Sequence, residues 1–332
     1  MKNLPSIYAS IILCLALAGC SKNDDVTVLR IAHTVDVEHS THKAMQHMAE
    51  RLAFYSGNTM EIKIYPYSQL GGEREVLEQL QMGSLAMTQV SAATIEGFVP
   101  EMKLYAVPYL FRNREHKWKV LESDIGQELL DLTEKAHFVG LGYYDSGSRS
   151  FYMTEDRVES PEDLVGRKIR VMQSQSSVKM VQSLGGAAAP ISMGELYAAL
   201  QQGVVDGAEN NPPMFYLSHH YEISKYYVLD EHTSIPEVII ASKYIMSKLS
   251  EQQRTWLNMA VKDSVKVQRE LWLALEQKSL TEVEKAGVEI IYPDKQPFID
   301  ALEPLYKSLE GTIISDYLER VNDMAVQGEL NE

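Results

Sequence analysis

Cysteine is nearly absent from this sequence. Its two cysteines, Cys14 and Cys20, both lie within the first 20 residues. The rest of the chain has no disulfide to stabilise it, so its fold must depend on a buried core, and 332 residues suffice for about two domains. Long apolar runs are also missing after Cys20, which predicts no membrane-spanning helix in the folded part.

Cations are scarce as well. Lys and Arg number 31 against 46 Asp and Glu, a formal net charge of −15. This balance argues against nucleic acid or an anionic lipid surface as a partner. The sequence has no G-x-S-x-G elbow, P-loop or dinucleotide fingerprint, and His33, His39 and His42 lack zinc-site spacing. We therefore expect no cofactor, no metal and no enzymatic activity.

The first 26 residues are predicted to be a signal peptide and tether. Lys2 precedes the apolar run Ile11–Leu17, which is too short to span a bilayer but is typical of a secretory signal. Leu17–Cys20 resembles a bacterial lipobox, and this resemblance implies a lipid on Cys20 that anchors a periplasmic protein to a membrane. An ordinary signal peptide that happens to contain Cys20 is the alternative.

Strands and helices alternate along the chain, which predicts an α/β fold. Met60–Tyr65 has the alternation of a strand, and a helix is predicted from Glu73 to Gly83. The segment 167–172 reads as a strand in which Ile169 and Val171 share one face. Ser250 can cap a helix that meets no glycine or proline before Gly287, and such a helix would brace the whole structure.

Two similar segments suggest two related lobes. Glu75–Gly83 and Glu195–Gly203 share Glu, Leu, Gln and Gly at matching positions, and each precedes a short strand and a polar turn. Eight residues past each glycine stand Ser91 and Asn211. Ligands of open α/β sheets bind beyond the carboxyl ends of strands, so we expect both turns to face one cleft.

Two arginines stand out as candidates for binding an acid. Arg149 and Arg170 lie on or beside short strands, and a guanidinium matches a carboxylate with two parallel hydrogen bonds. Arg170 is the stronger candidate, because its neighbours Ile169 and Val171 predict a buried strand, where an unpaired cation is costly. Surface ion pairs are the alternative role for each arginine.

The segment Val204–Pro213 supplies candidate amides. We predict a strand at Val204–Val205, a turn at Asp206–Gly207, and then Asn210 and Asn211 directed into the cleft, where amides can donate to and accept from sugar hydroxyls. Further candidate contacts outside this segment are Glu73, Ser91, Tyr144 and His39.

Five segments together resemble the solute-binding proteins of tripartite ATP-independent periplasmic (TRAP) transporters. They are YSQLGGEREVLEQLQMGSLAMTQVSA, FVPEMKLYAVPYLFRNREH, SPEDLVGRKIRVMQS, PISMGELYAALQQGVVDGAENNPP and the long bracing helix that follows Ser250. The resemblance implies a two-lobed clamshell of the type II-like class, with hinge strands and a ligand carboxylate held in the cleft. It also implies delivery of the ligand to one small and one large membrane subunit, driven by a sodium gradient.

The resemblance also assigns roles to residues. It implies that Arg170 binds the carboxylate, that Arg149 is a second site arginine and that Asn210 is the cleft asparagine. YYDSGSRSFY, AENNPP and DEHTSIP look most like the branch that binds hexuronates such as glucuronate and galacturonate. A C4-dicarboxylate receptor is the nearest alternative, followed by a binding protein of an ABC importer and a periplasmic sugar-acid enzyme.

The clamshell predicts how the chain is divided. We expect residues 27–146 with 236–275 to form lobe I, and residues 147–235 with 276–332 to form lobe II.

Overall fold

A computed structural model describes residues 26–329, so the predicted signal peptide, Cys20 and residues 330–332 lie outside the described residues. Within them, no helix combines the length and the apolar character that crossing a membrane requires. The strands are β1 Thr27–Ala32, β2 Met60–Tyr65, β3 Met87–Ser91, β4 Phe138–Tyr144, β5 Arg149–Met153, β6 Lys168–Val171, β7 Ala187–Pro190, β8 Gly207–Asn210, β9 Tyr226–Thr233, β10 Glu237–Ser242 and β11 Glu289–Ile291.

Helices cover both faces of the sheets, as expected for an α/β fold. The α-helices are α1 Ser40–Tyr55, α2 Glu73–Met82, α3 Ala92–Ile95, α4 Arg114–Leu121, α5 Asp124–Leu132, α6 Gln175–Ser183, α7 Met193–Gln201, α8 Pro212–Leu217, α9 Lys243–Lys248, α10 Glu251–Lys285, α11 Gln296–Ala301, α12 Glu303–Lys307 and α13 Ile313–Glu329. Short 3₁₀ helices span Pro100–Ala106, Thr133–Ala136, Pro161–Leu164 and His220–Glu222.

Two separate sheets form the two lobes. The sheet of lobe I has the order β2-β1-β3-β10-β4, and the sheet of lobe II has the order β11-β9-β5-β8-β6-β7. In lobe I, β10 runs antiparallel to both β3 and β4, which places Glu237 opposite Ser91 on one side and Tyr144 on the other. Each sheet carries its own buried apolar clusters, so the chain has two cores rather than one.

The chain crosses between the lobes several times. The segments 145–148 and 234–236 connect strands of the two sheets, and α10 spans both lobes. Ser250 and Gln253 form a capping box at the start of α10, which packs against α1 in lobe I and α8 in lobe II. The predicted bracing helix and the two-lobed α/β fold are therefore confirmed.

Local sequence patterns correctly predicted several strands and helices. The strand Met60–Tyr65 and the helix that starts at Glu73 are confirmed. That helix ends at Gly83, whose φ of 72° lies in the left-handed region that favours glycine.

The predicted strand at Val204–Val205 is wrong. The amide of Val204 instead donates to the Ala199 carbonyl at the end of α7, and the strand β8 begins after the turn, at Gly207. A Cβ on Gly207 would lie 2.4 Å from the Tyr152 carbonyl oxygen, so β5 and β8 approach too closely there for a side chain.

The C-terminal helix differs from the predicted division into lobes. Residues 276–332 were assigned to lobe II, but Ile314 and Val321 of α13 belong to the core of lobe I. The chain crosses back between Leu305, which packs in lobe II, and Leu309, which packs in lobe I. The apolar face of α13 therefore completes the first core rather than the second.

Candidate functional site: the cleft between the lobes

A cleft with about 650 Å³ of empty space lies between the two lobes. Its charged lining residues are Glu73, Glu237, Arg149 and Arg170. Lobe I contributes the two acids, from α2 and β10, and lobe II contributes the two arginines, from β5 and β6. The cleft therefore has an acidic wall facing a basic wall.

Arg170 is a buried cation that lacks a carboxylate partner. Its neighbours Ile169 and Val171 pack into the core of lobe II, and its own side chain lines the cleft with a relative exposure of 3%. Nε donates to the Ile191 carbonyl at 2.8 Å, while Nη1 is buried without a hydrogen-bond partner.

No carboxylate of the described residues lies within 4.0 Å of the Arg170 guanidinium. Burial lowers the pKa of Arg170, and the charges of Glu209 and Glu73 at longer range offset only part of this effect. An anion that entered the cleft would remove this cost, so the geometry fits a carboxylate site.

Arg149 differs from Arg170 because the protein itself neutralises it. Its guanidinium forms a fork with the Glu209 carboxylate, and its Nη1 donates to Asn210 Oδ1 at 2.8 Å. Burial alone would raise the pKa of Glu209, but the charge and hydrogen bonds of Arg149, together with the nearby His232, lower it to about 2. Arg149 can therefore offer hydrogen bonds to a ligand, but little uncompensated charge.

A buried network behind Arg149 fixes its position. His232 Nδ1 lies 2.8 Å from an Asp230 carboxylate oxygen, and His232 Nε2 lies 3.6 Å from Glu209. Burial opposes protonation of His232, but Asp230 and Glu209 raise its pKa to about 9. Glu209 was not among the residues predicted from the sequence, although it directly precedes the predicted cleft residue Asn210.

Glu73 is positioned by the start of α2. It is the first residue of that helix after Gly72, and its half-buried carboxylate accepts hydrogen bonds from the Thr94 hydroxyl and, at 3.2 Å, the Ser91 amide. Burial raises the pKa of Glu73, which the two hydrogen bonds partly offset. Ser91 also lines the cleft and caps α3, so the predicted contacts Glu73 and Ser91 lie together.

Glu237 and Gln89 form a second polar pair on the wall of lobe I. Gln89 Nε2 donates to the Glu237 carboxylate, and Gln89 Oε1 is buried without a hydrogen-bond partner. Burial, followed by the nearby charge of Glu73, raises the pKa of Glu237 to about 8. This pair was not predicted from the sequence, because only the antiparallel pairing of β3 with β10 brings the two residues together.

Three predicted contacts do not line the cleft. Asn211 accepts a hydrogen bond from the Met214 amide at 2.9 Å and so caps α8. Tyr144 is buried in lobe I, where its hydroxyl donates to Ser264 Oγ at 2.8 Å. His39 caps α1 and contacts the edge of Trp272. Asn210, by contrast, lies on the lining beside Arg149.

Nothing in the described part of the chain forms a group of three metal-ligating side chains that could hold a metal ion.

Residues 31–312 match the family described as DctP, bacterial extracellular solute-binding protein, family 7. The chain belongs to this family. The resemblance to TRAP solute-binding proteins is thereby confirmed, and the protein is a periplasmic solute receptor rather than an enzyme.

Solved structures of the same kind are close to this chain. A TRAP periplasmic solute-binding protein from Bradyrhizobium sp. BTAi1, in complex with α/β-D-galacturonate, is 40% identical, with a TM-score of 0.87 over 89% of this chain and 99% of that chain. One from Anaerococcus prevotii, with bound α/β-D-glucuronate, is 35% identical, with a TM-score of 0.86 over 90% of this chain and 98% of that one. Among curated proteins, the uncharacterised YiiZ of Salmonella typhimurium LT2 is 34% identical over 86% of this chain and 87% of its own length.

Proposed function

We propose that this TRAP receptor binds a hexuronate of the D-glucuronate or D-galacturonate type and delivers it to membrane subunits for sodium-driven uptake. The observation that carries the proposal is Arg170, a buried guanidinium that faces the cleft without a carboxylate partner among the described residues. In this proposal the ligand carboxylate binds Arg170, while Arg149, Asn210, Glu73 and Ser91 contact the remainder of the ligand.

The composition of the opposite wall supports a sugar acid over a C4-dicarboxylate. Glu73, Glu237 and Gln89 present oxygen atoms that accept hydrogen bonds, and sugar hydroxyls donate them. The galacturonate and glucuronate complexes of the similar solved structures support the same choice.

We also propose that Cys20 carries a lipid that tethers the receptor to a membrane facing the periplasm. The support is the lipobox-like sequence Leu17–Cys20, in residues that the structure does not describe. Incorporation of radiolabelled palmitate into the wild-type protein, but not into Cys20→Ser, would support the anchor, and equal absence of label would contradict it.

A calorimetric binding screen tests the ligand. The purified protein is titrated with D-glucuronate, D-galacturonate, succinate, malate and D-glucose. We expect binding of one or both hexuronates and no binding of glucose, which has no carboxylate for Arg170. Binding of succinate or malate alone would retain the receptor but refute the sugar-acid ligand.

A further inference from the structure

On the wall of lobe I, the Glu73 and Glu237 carboxylates and the Gln89 side-chain carbonyl are hydrogen-bond acceptors when both acids are ionised. The Ser91 amide and the Thr94 hydroxyl donate to Glu73, and Gln89 Nε2 donates to Glu237. Gln89 Oε1 remains buried without a partner. This wall is therefore suited to ligand groups that donate hydrogen bonds, and unsuited to a carboxylate, which only accepts them.

The charges of the cleft also favour a ligand with one carboxylate over a ligand with two. Glu209 neutralises Arg149 from behind, so Arg170 is the one lining cation in the described chain with no carboxylate partner. Neither Glu73 nor Glu237 has an ion pair within 4.0 Å among the described residues. The cleft can thus neutralise one ligand carboxylate, and a second one would face acids without a counter-ion.

We propose that Glu73 and Glu237 make the receptor selective for polyhydroxy acids with a single carboxylate, and that they exclude the corresponding dicarboxylates. This inference rests on the proposed hexuronate function and adds the feature of the cleft that sets its selectivity. A sugar hydroxyl gains a charge-assisted hydrogen bond at the acid pair, whereas an aldarate places its second carboxylate against like charge. Like charges brought together at an interface weaken binding, so we expect the uronate to bind about 100-fold more tightly than the aldarate.

The exclusion must depend on pH, since a protonated Glu237 could donate to the second carboxylate. The charged groups that act on Glu237 are Glu73, which raises its pKa, and Arg149 and Lys117, which lower it. Arg149 and Arg170 act on Glu73 in turn. The arginines stay charged from pH 6 to 8.5, whereas His232, with a pKa of about 9, loses part of its charge toward pH 8.5, so the part of the pH dependence that Glu237→Gln removes is the part that reports on Glu237.

The test compares D-galacturonate, galactarate and D-galactonate by calorimetry at pH 8.5 and pH 6. Galactonate controls for chain shape, because it is an open chain like galactarate but carries one carboxylate. The proteins are the wild type, Glu237→Gln, Glu73→Gln and the control Glu75→Gln, which removes an exposed charge from the same helix as Glu73. Thermal unfolding of each variant shows whether it folds. The comparison of the three ligands on the wild-type protein tests the inference even if a variant does not fold.

We expect the wild type to bind galacturonate about 100-fold more tightly than galactarate at pH 8.5, but only about tenfold more tightly at pH 6. Glu237→Gln should reduce the preference at pH 8.5 at least tenfold and remove its pH dependence, while Glu75→Gln should match the wild type. A ratio near one in the wild type, or a ratio that Glu237→Gln and Glu73→Gln both leave unchanged, would overturn the inference while the hexuronate function stands. Binding of neither galacturonate in this test nor glucuronate in the calorimetric screen described above would refute the proposed function, and this inference with it.

Discussion

Replacement of Arg170 by methionine should strongly weaken ligand binding without destabilising the unliganded protein. Methionine retains much of the aliphatic volume of the side chain but removes the guanidinium. The unliganded protein loses one hydrogen bond, from Nε to the Ile191 carbonyl, and is relieved of a buried charge that has no carboxylate partner in the described structure. These two effects oppose each other, so we expect a free energy of unfolding within about 1 kcal/mol of the wild type.

The expected effect on binding is much larger. The ligand carboxylate would lose a buried, charge-assisted partner, and removal of one member of such a pair costs about 2–5 kcal/mol. The dissociation constant for the hexuronate should therefore rise by about 30-fold to several thousandfold. Arg170→Lys keeps the charge but loses the planar fork, and we expect an intermediate affinity.

Calorimetry and urea unfolding of the same preparations measure the two quantities. Arg167→Met is the matched control, because Arg167 lies three residues earlier, is exposed and pairs with Asp156 at 3.0 Å. We expect this control to bind like the wild type. Wild-type affinity in Arg170→Met would refute the carboxylate assignment, and a loss of several kcal/mol in its stability would refute the view that Arg170 is uncompensated.

Three further perturbations test the surroundings of the site. Glu209→Gln leaves Arg149 without its buried counter-ion, so urea unfolding should show a loss of about 3–5 kcal/mol. Glu96→Ala removes a carboxylate of lobe I that accepts hydrogen bonds at 2.9 Å from the Ser174 hydroxyl and the Ser176 amide of lobe II. Stopped-flow measurements should then show ligand dissociation about tenfold faster, since hydrogen bonds to a charged group contribute about 1.5–3 kcal/mol. Glu237 releases its proton near pH 4.5 when unfolded but near pH 8 when folded, so it lowers stability as pH rises through this window. Glu237→Gln should therefore exceed the wild type in stability by about 1–2 kcal/mol at pH 8.5 and by little at pH 5, after allowance for screening in the cleft.

Each perturbation has an outcome that would contradict its basis. Glu155→Gln, at an exposed ion pair with Lys225, should change stability by less than about 1 kcal/mol and serves as the control for Glu209→Gln. An equally small effect of Glu209→Gln would mean that Arg149 finds another partner. Unchanged dissociation in Glu96→Ala would show that the contact between the lobes does not retain the ligand. A difference in stability between Glu237→Gln and the wild type that stays constant across pH would contradict the raised pKa of Glu237.

Local sequence patterns were sufficient to predict much of the fold. Capping by Ser250 and Gln253 depends on residues three positions apart, so the start of α10 could be predicted from them. The alternation around Arg170 likewise predicted that its side chain lies opposite Ile169 and Val171. The strand prediction at Val204–Val205 failed because β-branched side chains favour a strand, whereas the Val204 amide donates a hydrogen bond to the last turn of α7.

The site was predicted less completely, because much of it depends on pairing between distant segments. Glu237 meets Gln89 only through the register of β10 with β3, and Glu209 meets Arg149 only through the register of β8 with β5. The role of Asn211 was difficult to predict for a different reason, because its local sequence fits two roles. An asparagine before two prolines is equally suited to a ligand contact and to a helix cap, and in this structure it caps α8.

A crystal structure of the protein with D-glucuronate or D-galacturonate would show directly which residue binds the ligand carboxylate. We expect the carboxylate to form two hydrogen bonds with the Arg170 guanidinium, and sugar hydroxyls to donate to Glu73 or Glu237. A ligand whose carboxylate lies against another group, with Arg170 still unpaired, would contradict this expectation.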